Sequence, residues 1–423
     1  MNISLGFGKG KLDFAVDEKR VAGILQPNCV DIGLAGKDEV KRAIENPIGS
    51  ARLKDIVKPG EKIVIITSDI TRPMPSKLVI PEILEELMQA NININDITIV
   101  LALGSHRKHT VDEMKYLVGD EVYSKIKCID SDINDCVHMG DTSYGTPVDI
   151  FRVVAEADRR ICLGNIEYHY FAGYSGGAKA IMPGVSTRAA IQANHSKMVM
   201  EDAKAGEMNI NPVRCDIDEV LKFVPVDFIL NVVLDEHKSI MKAVAGHPIV
   251  AHREGCGFLD TLYKVKLQER ADIVVVSPGG YPKDINLYQA QKALDNSKHA
   301  VRDGGIIILV ASCKEGFGEE VFEKWINKAQ TSKELIDEIQ RNFKLGGHKA
   351  AAIAMVLERC KIYLVSELDD SLVKKAFMKP YKSVQKALED AISELGEKSS
   401  IVIMPYGGST LPDVLQAPSS VIE

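Results

Sequence analysis

The sequence predicts an α/β protein of two domains, each a largely parallel sheet flanked by helices, with the active site in the cleft between the domains. Three observations carry that expectation. Eight short apolar runs rich in Val and Ile recur along the 423 residues, they lack polar alternation, and segments with helical spacing fill the gaps between them. Strands buried on both faces of a parallel sheet require such runs. A single core rarely grows beyond about 250–300 residues, so a chain of this length is expected to split.

The runs are Lys62–Thr67, Ile97–Leu103, Ile161–Leu163, Phe228–Leu234, Asp272–Val276, Gly305–Val310, Lys361–Val365 and Ser400–Met404. Between them, Leu78–Met88 places Val79, Ile83, Leu84, Leu87 and Met88 at helical spacing. Ser383–Leu395 does the same with Val384, Leu388, Ile392 and Leu395, as a helix packed on a sheet must. The polar stretch Tyr263–Asp272 (YKVKLQERAD) marks the expected boundary, giving an N-terminal domain over residues 1–266 and a C-terminal α/β domain over 267–423.

Composition narrows the partners. A net charge of -7 and a pI near 5.9 provide no broad basic field, which argues against nucleic acid or a membrane surface and for small molecules. The eight cysteines form no C-x-x-C pair, so neither a zinc ribbon nor a disulfide framework is expected, and a reduced, cytoplasmic setting fits. The first residues lack the apolar centre of a signal peptide, and no apolar run reaches the roughly 18 residues of a membrane span.

Ligands of open α/β folds bind beyond the carboxyl ends of the strands, so the residues after each run are the candidates. The first run is followed by Asp69, Thr71 and Arg72, and the guanidinium fork of an arginine suits a carboxylate or phosphate. The second ends in G-S-H-R-K-H-T, with His106 at the strand end and His109 at the entrance to the next helix; the strand end is the more rigid platform. The third leads into the densest stretch of the chain, Leu163–His195, which holds His169, His195, Lys179 and five glycines. Ser175, Gly176 and Gly177 form a backbone able to bend at positive φ and turn its N–H groups to an anion such as a phosphate. Lys179 can pair with the same anion or, with a lowered pKa, serve as nucleophile or covalent tether. Either histidine can be base, acid or metal ligand.

Taken singly, a histidine is more often structural and a Gly-Gly pair only a turn. Together they point to a site. His106 and His169, on adjacent connections, suit an enzyme that works on both faces of one carbon, which leaves His195 for a metal. In the second domain, Gln289 and Lys292 are three apart on a helix introduced by S-P-G-G-Y-P and so share a face. A second glycine turn, Pro405–Gly408, also follows a strand.

With these residues assembled, the chain resembles the nickel-pincer lactate racemase family. The marks are E-N-P-I-G-S at Glu45–Ser50, S-D-I-T-R-P at Ser68–Pro73, G-S-H-R at Gly104–Arg107, E-Y-H-Y-F-A-G-Y-S-G-G-A-K at Glu167–Lys179, A-N-H at Ala193–His195, N-V-V-L-D-E at Asn231–Glu236 and G-G-Y-P-x-D-x-N-x-Y-Q-A-x-K at Gly279–Lys292. The resemblance implies a cofactor, nickel pyridinium-3,5-bisthiocarboxylic acid mononucleotide, tethered covalently to Lys179 with His195 as the protein ligand to nickel. It implies His106 and His169 as the catalytic acid/base pair. Asp69, Thr71, Arg72, Ser175, Gly176 and Gly177 would contact the cofactor, and Arg72, Gln289 and Lys292 the substrate.

The reaction implied is racemisation of a 2-hydroxy acid, foremost lactate, in which the C2 hydrogen moves as hydride to the cofactor and returns through a 2-keto acid. Cofactor-synthesis enzymes are the implied loading partners, and oligomeric assembly is left open. Two residues depart from the lactate-specific pattern: Ala178 stands where Arg is expected, and His348 in Gly346–Ala350 where Trp is expected. A more polar wall suits a hydroxylated or charged substrate side chain. Malate, an aryl-lactate or a sugar acid is therefore the alternative substrate, and a non-catalytic metal or cofactor carrier the alternative of a different class. A nicotinamide-dependent dehydrogenase is disfavoured, since no G-x-G-x-x-G follows a strand with an acidic residue about 20 positions on.

Overall fold

A computed structural model describes residues 1–235 and 237–415; Glu236, the last residue of the N-V-V-L-D-E stretch, lies outside them. The chain forms two compact units, one of Val30–Asp260, the other of Met1–Cys29 together with the chain from Thr261 onward. The division expected at 266/267 therefore needs two changes. The first 29 residues pack with the C-terminal unit, and Tyr263–Asp272 is no linker: the helix Val250–Tyr263 runs into the strand Lys264–Leu267, which pairs in parallel with Leu411–Val414. Its K-V-K-L alternation is that of a short two-stranded ladder with Leu267 buried.

Every one of the eight apolar runs lies in a strand. The Val30–Asp260 unit holds a six-stranded sheet in the order Ile240–Gly246, Phe228–Leu234, Arg159–Ile166, Ile63–Ser68, Ile97–Ala102, Lys127–Asp130. All neighbours are parallel except Ile240–Gly246, which runs antiparallel at one edge. Numbered by chain order this is 3-2-1-4-5-6, the doubly wound arrangement whose order reverses between Ile63–Ser68 and Arg159–Ile166. Ile63 and Ile65 pack with Val79, Ile80, Ile83 and Leu87 of the helix Ser76–Gln89, while Val64 and Ile66 are buried as well. Both sheet faces are thus covered. Met88, expected on the buried face of that helix, is exposed instead, and Ile80 is buried.

The other unit has a sheet in the order Lys379–Tyr381, Lys361–Val365, Val301–Val310, Ala271–Val276, Ile401–Met404, Val21–Ile24, parallel throughout. The helix Val384–Leu395 buries Val384, Ala387, Leu388 and Ala391 against Ile273, Val275, Ile306 and Ile308. Leu5 and Phe14, from the hairpin Asn2–Phe7 and Gly10–Ala15, complete that core. No helix among the described residues is long and apolar enough to cross a membrane.

Candidate active site

The order reversal of the first sheet opens a crevice beyond the carboxyl ends of Ile63–Ser68 and Arg159–Ile166, and most of the candidate residues follow those two strands and the neighbouring Ile97–Ala102. Asp69 comes directly after its strand and is buried. Its Oδ2 lies 2.6 Å from His106 Nδ1, and Thr71 Oγ1 donates to the carboxylate at 3.0 Å. The Arg72 amide donates to the Asp69 carbonyl at 3.1 Å, which closes the turn. A carboxylate only accepts, so the His106 proton sits on Nδ1 and Nε2 is the basic nitrogen.

Burial works to raise the Asp69 pKa, but the hydrogen bond and charge of His106, the Thr71 hydroxyl and the Arg72 charge outweigh it and hold the carboxyl below its ordinary value. A depressed folded-state pKa contributes stability that is full above the unfolded value, near 4, and lost as pH falls through the folded value. Asp69→Asn should therefore flatten the acid limb of stability: denaturant melts below pH ~4 should show a smaller loss relative to neutral pH than in the parent protein. His109 is taken up structurally. Its imidazole is buried, with Nδ1 2.6 Å from Asp130 Oδ1 and Nε2 accepting the Ile70 amide at 3.0 Å, so it braces the loop that carries Asp69.

After Arg159–Ile166 the chain makes a two-residue ladder, Tyr168–His169 against Gly173–Tyr174. The hydroxyls of Tyr168 and Tyr174 both donate to Asp260 Oδ1, at 2.8 and 2.7 Å. His169 stands edge-on to Phe171 at 4.5 Å between ring centres, and Phe171 edge-on to the buried His195 at 5.0 Å. The Ala172 amide donates to His169 Nδ1 at 3.3 Å, which places the proton of the neutral ring on Nε2. The two rings thus differ in tautomer: His106 presents a lone pair on Nε2 and His169 an N–H there. Burial first, then the charges of Lys179, Arg72, His195 and Arg214, push the His169 pKa well below the usual imidazole range. Lys179 behaves likewise: burial, Arg214 and Arg72 lower its pKa more than Glu167 raises it, a shift in the direction of the uncharged, nucleophilic amine. Arg72 itself is exposed, yet its charge reaches Asp69, His169 and Lys179.

Sequence reasoning missed Arg214, a fully buried cation beneath this segment. Its Nε donates to the Ala172 carbonyl at 3.3 Å, Nη2 to the Tyr174 carbonyl, and Nη1 pairs with Asp218 at 3.5 Å. The helix Pro212–Glu219 aims it inward. Asn211 caps that helix on the amides of Val213 and Arg214, and Arg214 shares the buried face with Val213 and Ile217. Two charged residues, Arg214 and Asp216, among the apolar positions of that helix were the available signal.

The Ser175–Gly177 turn is tied into the surrounding chain. The Ser175 amide donates to the Glu167 carbonyl at 2.9 Å and the Gly177 amide to Asn231 Oδ1 at 2.8 Å. His252 Nε2 donates to the Ser175 carbonyl at 2.8 Å. A Cβ on Gly176 would stand 2.8 Å from Asn231 Oδ1, and one on Gly177 2.9 Å from His252 Cγ. Close approach and φ of 80° and 60° explain both glycines, and the Ser175 and Gly177 amides are engaged within the chain rather than turned to an anion.

The remaining candidates sit as follows. His195 ends the helix Arg188–His195, capped by Thr187. Gln289 and Lys292 lie exposed on the helix Leu287–Ser297 of the other unit, where Asn286 accepts from the Gln289 amide at 2.9 Å. In Pro405–Gly408 the Gly407 carbonyl accepts from Asn296 at 2.7 Å and its amide donates to Ser277 at 2.8 Å. Ala178 is buried, as is His348, whose Nδ1 accepts the Gly346 amide at 3.0 Å.

Fold and residues define an α/β protein with two imidazoles and a lysine on the connections that follow the strands at the switch point of a doubly wound sheet. Comparison with known proteins makes the class specific. The lactate racemase N-terminal domain matches residues 7–207 and the lactate racemase C-terminal domain residues 266–411. The lactate racemase of Thermoanaerobacterium thermosaccharolyticum is 36% identical over 97% of this chain and 99% of its own length. That of Lactiplantibacillus plantarum is 32% identical over 96% and 98%. The lactate racemase apoprotein structure from the former organism superposes with a TM-score of 0.88, covering 98% of this chain and all of that one. A Thermotoga maritima protein, 17% identical with a TM-score of 0.61 over 90% of this chain and 97% of its own, shares the fold. The chain belongs to the lactate racemase family and is an isomerase.

Proposed function

We propose that the chain racemises lactate with a nickel pincer cofactor tethered to Lys179. The observation that carries the reading is the Asp69-backed imidazole of His106, 2.6 Å between Oδ2 and Nδ1, in the crevice after whose second strand Lys179 follows, with a pKa that burial, Arg214 and Arg72 lower. Two relatives that are lactate racemases over nearly their whole length support it.

The residues fit the group. An uncharged lysine amine is the form that could be joined to a thiocarboxylate as a thioamide, the C–N bond forming as the C–O bond is lost with its oxygen leaving as water. The imidazole of His195, a borderline-soft donor suited to nickel, acts electrostatically on the same histidine that Lys179 does. When bound, the group supplies an electrophilic acceptor for the hydrogen at C2 of the substrate. The chain's residues supply the rest. His106 Nε2 accepts the hydroxyl proton of one enantiomer, with Asp69 stabilising the imidazolium, as carboxylate-backed histidines do. Formation of the opposite enantiomer requires His169 to enter as the imidazolium, which gives one proton to the carbonyl oxygen and leaves the neutral ring; in the reverse direction neutral His169 accepts the hydroxyl proton and the imidazolium of His106 returns one. Arg72, with its charge beside both groups, is assigned to the substrate carboxylate, and the family resemblance assigns Gln289 and Lys292 to the substrate as well.

The test is production alongside the cofactor-building enzymes, followed by intact mass, peptide mapping, a nickel assay and chiral chromatography of L-lactate incubations. An adduct on Lys179 with nickel and D-lactate formation is expected. Absence of adduct and nickel, with a control family member loaded in the same host, overturns the reading. Because Ala178 and His348 depart from the lactate-specific pattern, the same sample is to be screened on malate, aryl-lactates and sugar acids; faster turnover of one of these would replace lactate as the substrate.

A further inference from the structure

His195 is held from behind by a buried chain of hydrogen bonds that the catalytic reading does not use. Its root is Asp216, which is fully buried. Asp216 Oδ1 accepts from Thr142 Oγ1 at 2.6 Å. Its Oδ2 accepts from Thr146 Oγ1 at 2.6 Å, Asn194 Nδ2 at 2.8 Å and Lys197 Nζ at 2.9 Å. A buried carboxylate with four donors, one of them an ammonium, is charge-balanced and fixed in place.

Asn194 is fully buried too, and its Nδ2 also donates to the Val213 carbonyl at 3.2 Å. Both partners of Nδ2 are acceptors, so the amide has one allowed orientation. Turned over, it would set its oxygen against a carboxylate and a carbonyl. Oδ1 therefore faces His195, 3.0 Å from Nδ1. An amide oxygen only accepts, which puts the imidazole proton on Nδ1 and the ring's lone pair on Nε2.

We propose that Asn194, oriented by Asp216, is a positioning residue that fixes His195 as the Nδ1–H tautomer and so makes Nε2 its metal-donor atom, for a borderline divalent ion such as nickel. Partners of this kind behind a ligating histidine set its tautomer and orientation. The metal half of the proposal rests on the functional reading above; the tautomer half does not.

The two halves are tested separately. In the apoprotein labelled with 15N at histidine, long-range proton–nitrogen correlation at alkaline pH reports which nitrogen of each neutral ring carries the proton, and loss of signals in His195→Gln assigns His195. A protonated Nδ1 is expected, and a protonated Nε2 overturns the proposal whatever the cofactor. Asp216→Asn lets the Asn194 amide turn over, so the proton should move toward Nε2; an unchanged spectrum in a folded variant removes Asp216 from the chain of control. Should that variant not fold, the parent spectrum still decides the tautomer.

For the metal half, Asn194→Ala is loaded with cofactor and dialysed. Nickel should be retained about 10- to 100-fold more weakly, with the mass adduct on Lys179 unchanged. Equal retention overturns the positioning role. A parent protein that takes up neither adduct nor nickel overturns the metal half together with the functional reading, and the apoprotein spectrum stands apart from both.

Discussion

Lys179→Ala removes the mass adduct and takes racemase activity below detection, while the purified variant keeps the parent's circular dichroism and melts no lower. The stability expectation follows from electrostatics: burial and the charges of Arg214 and Arg72 disfavour the protonated form of the half-buried lysine, so truncation removes a group the surroundings do not favour charged. Lys179→Arg is the instructive companion. A guanidinium stays charged and cannot form the tether under these conditions, so it also yields no adduct, and it melts lower because a permanent charge now stands where burial, Arg214 and Arg72 disfavour one. Intact mass and thermal melts of both variants, produced with the cofactor-building enzymes, settle the matter. An adduct that persists in Lys179→Ala would place the tether on another residue.

His106→Ala and His169→Ala each lower kcat by about 10²- to 10⁴-fold in both directions, with nickel and adduct retained. The equilibrium between enantiomers is fixed by the substrate, so neither histidine can be lost in one direction only. Asp69→Asn is expected to fall between the parent and His106→Ala, since it leaves the base in place but removes the carboxylate 2.6 Å behind it. Racemisation rates measured from pure L- and pure D-lactate decide this, and unchanged turnover in either histidine variant removes that residue from the acid/base pair.

How far the sequence could be read depended on whether a feature is local. The strands were legible because a run such as K-I-V-I-I-T between polar segments fits little besides a strand covered on both faces. The strand-end rule then found Asp69, His106 and His169, for each follows its strand within a few residues. What stayed hidden is what depends on distant partners. That Asn231 and His252 press against Gly176 and Gly177 could not be read from the residues around them. Arg214 lies 35 residues after Lys179 in the chain, and its electrostatic influence on that lysine exists only in the folded state. Val21–Ile24 is short and half exposed, so its place beside Ile401–Met404 could not be read from its own residues.

That last pairing shapes how the protein comes into being. Residues 30–260 form a contiguous unit with its own sheet and core, and can fold as soon as they leave the ribosome. The strand Val21–Ile24 emerges earlier yet cannot dock until Ile401–Met404 has been synthesised. The amino-terminal segment is thus held in waiting through most of translation, closing a loop of several hundred residues at the end. Domains emerging first generally fold first, so residues 30–260 produced alone should give a cooperatively melting protein. A chain truncated before Ile401 should keep that unit folded while Val21–Ile24, left without its partner strand, stays open to protease.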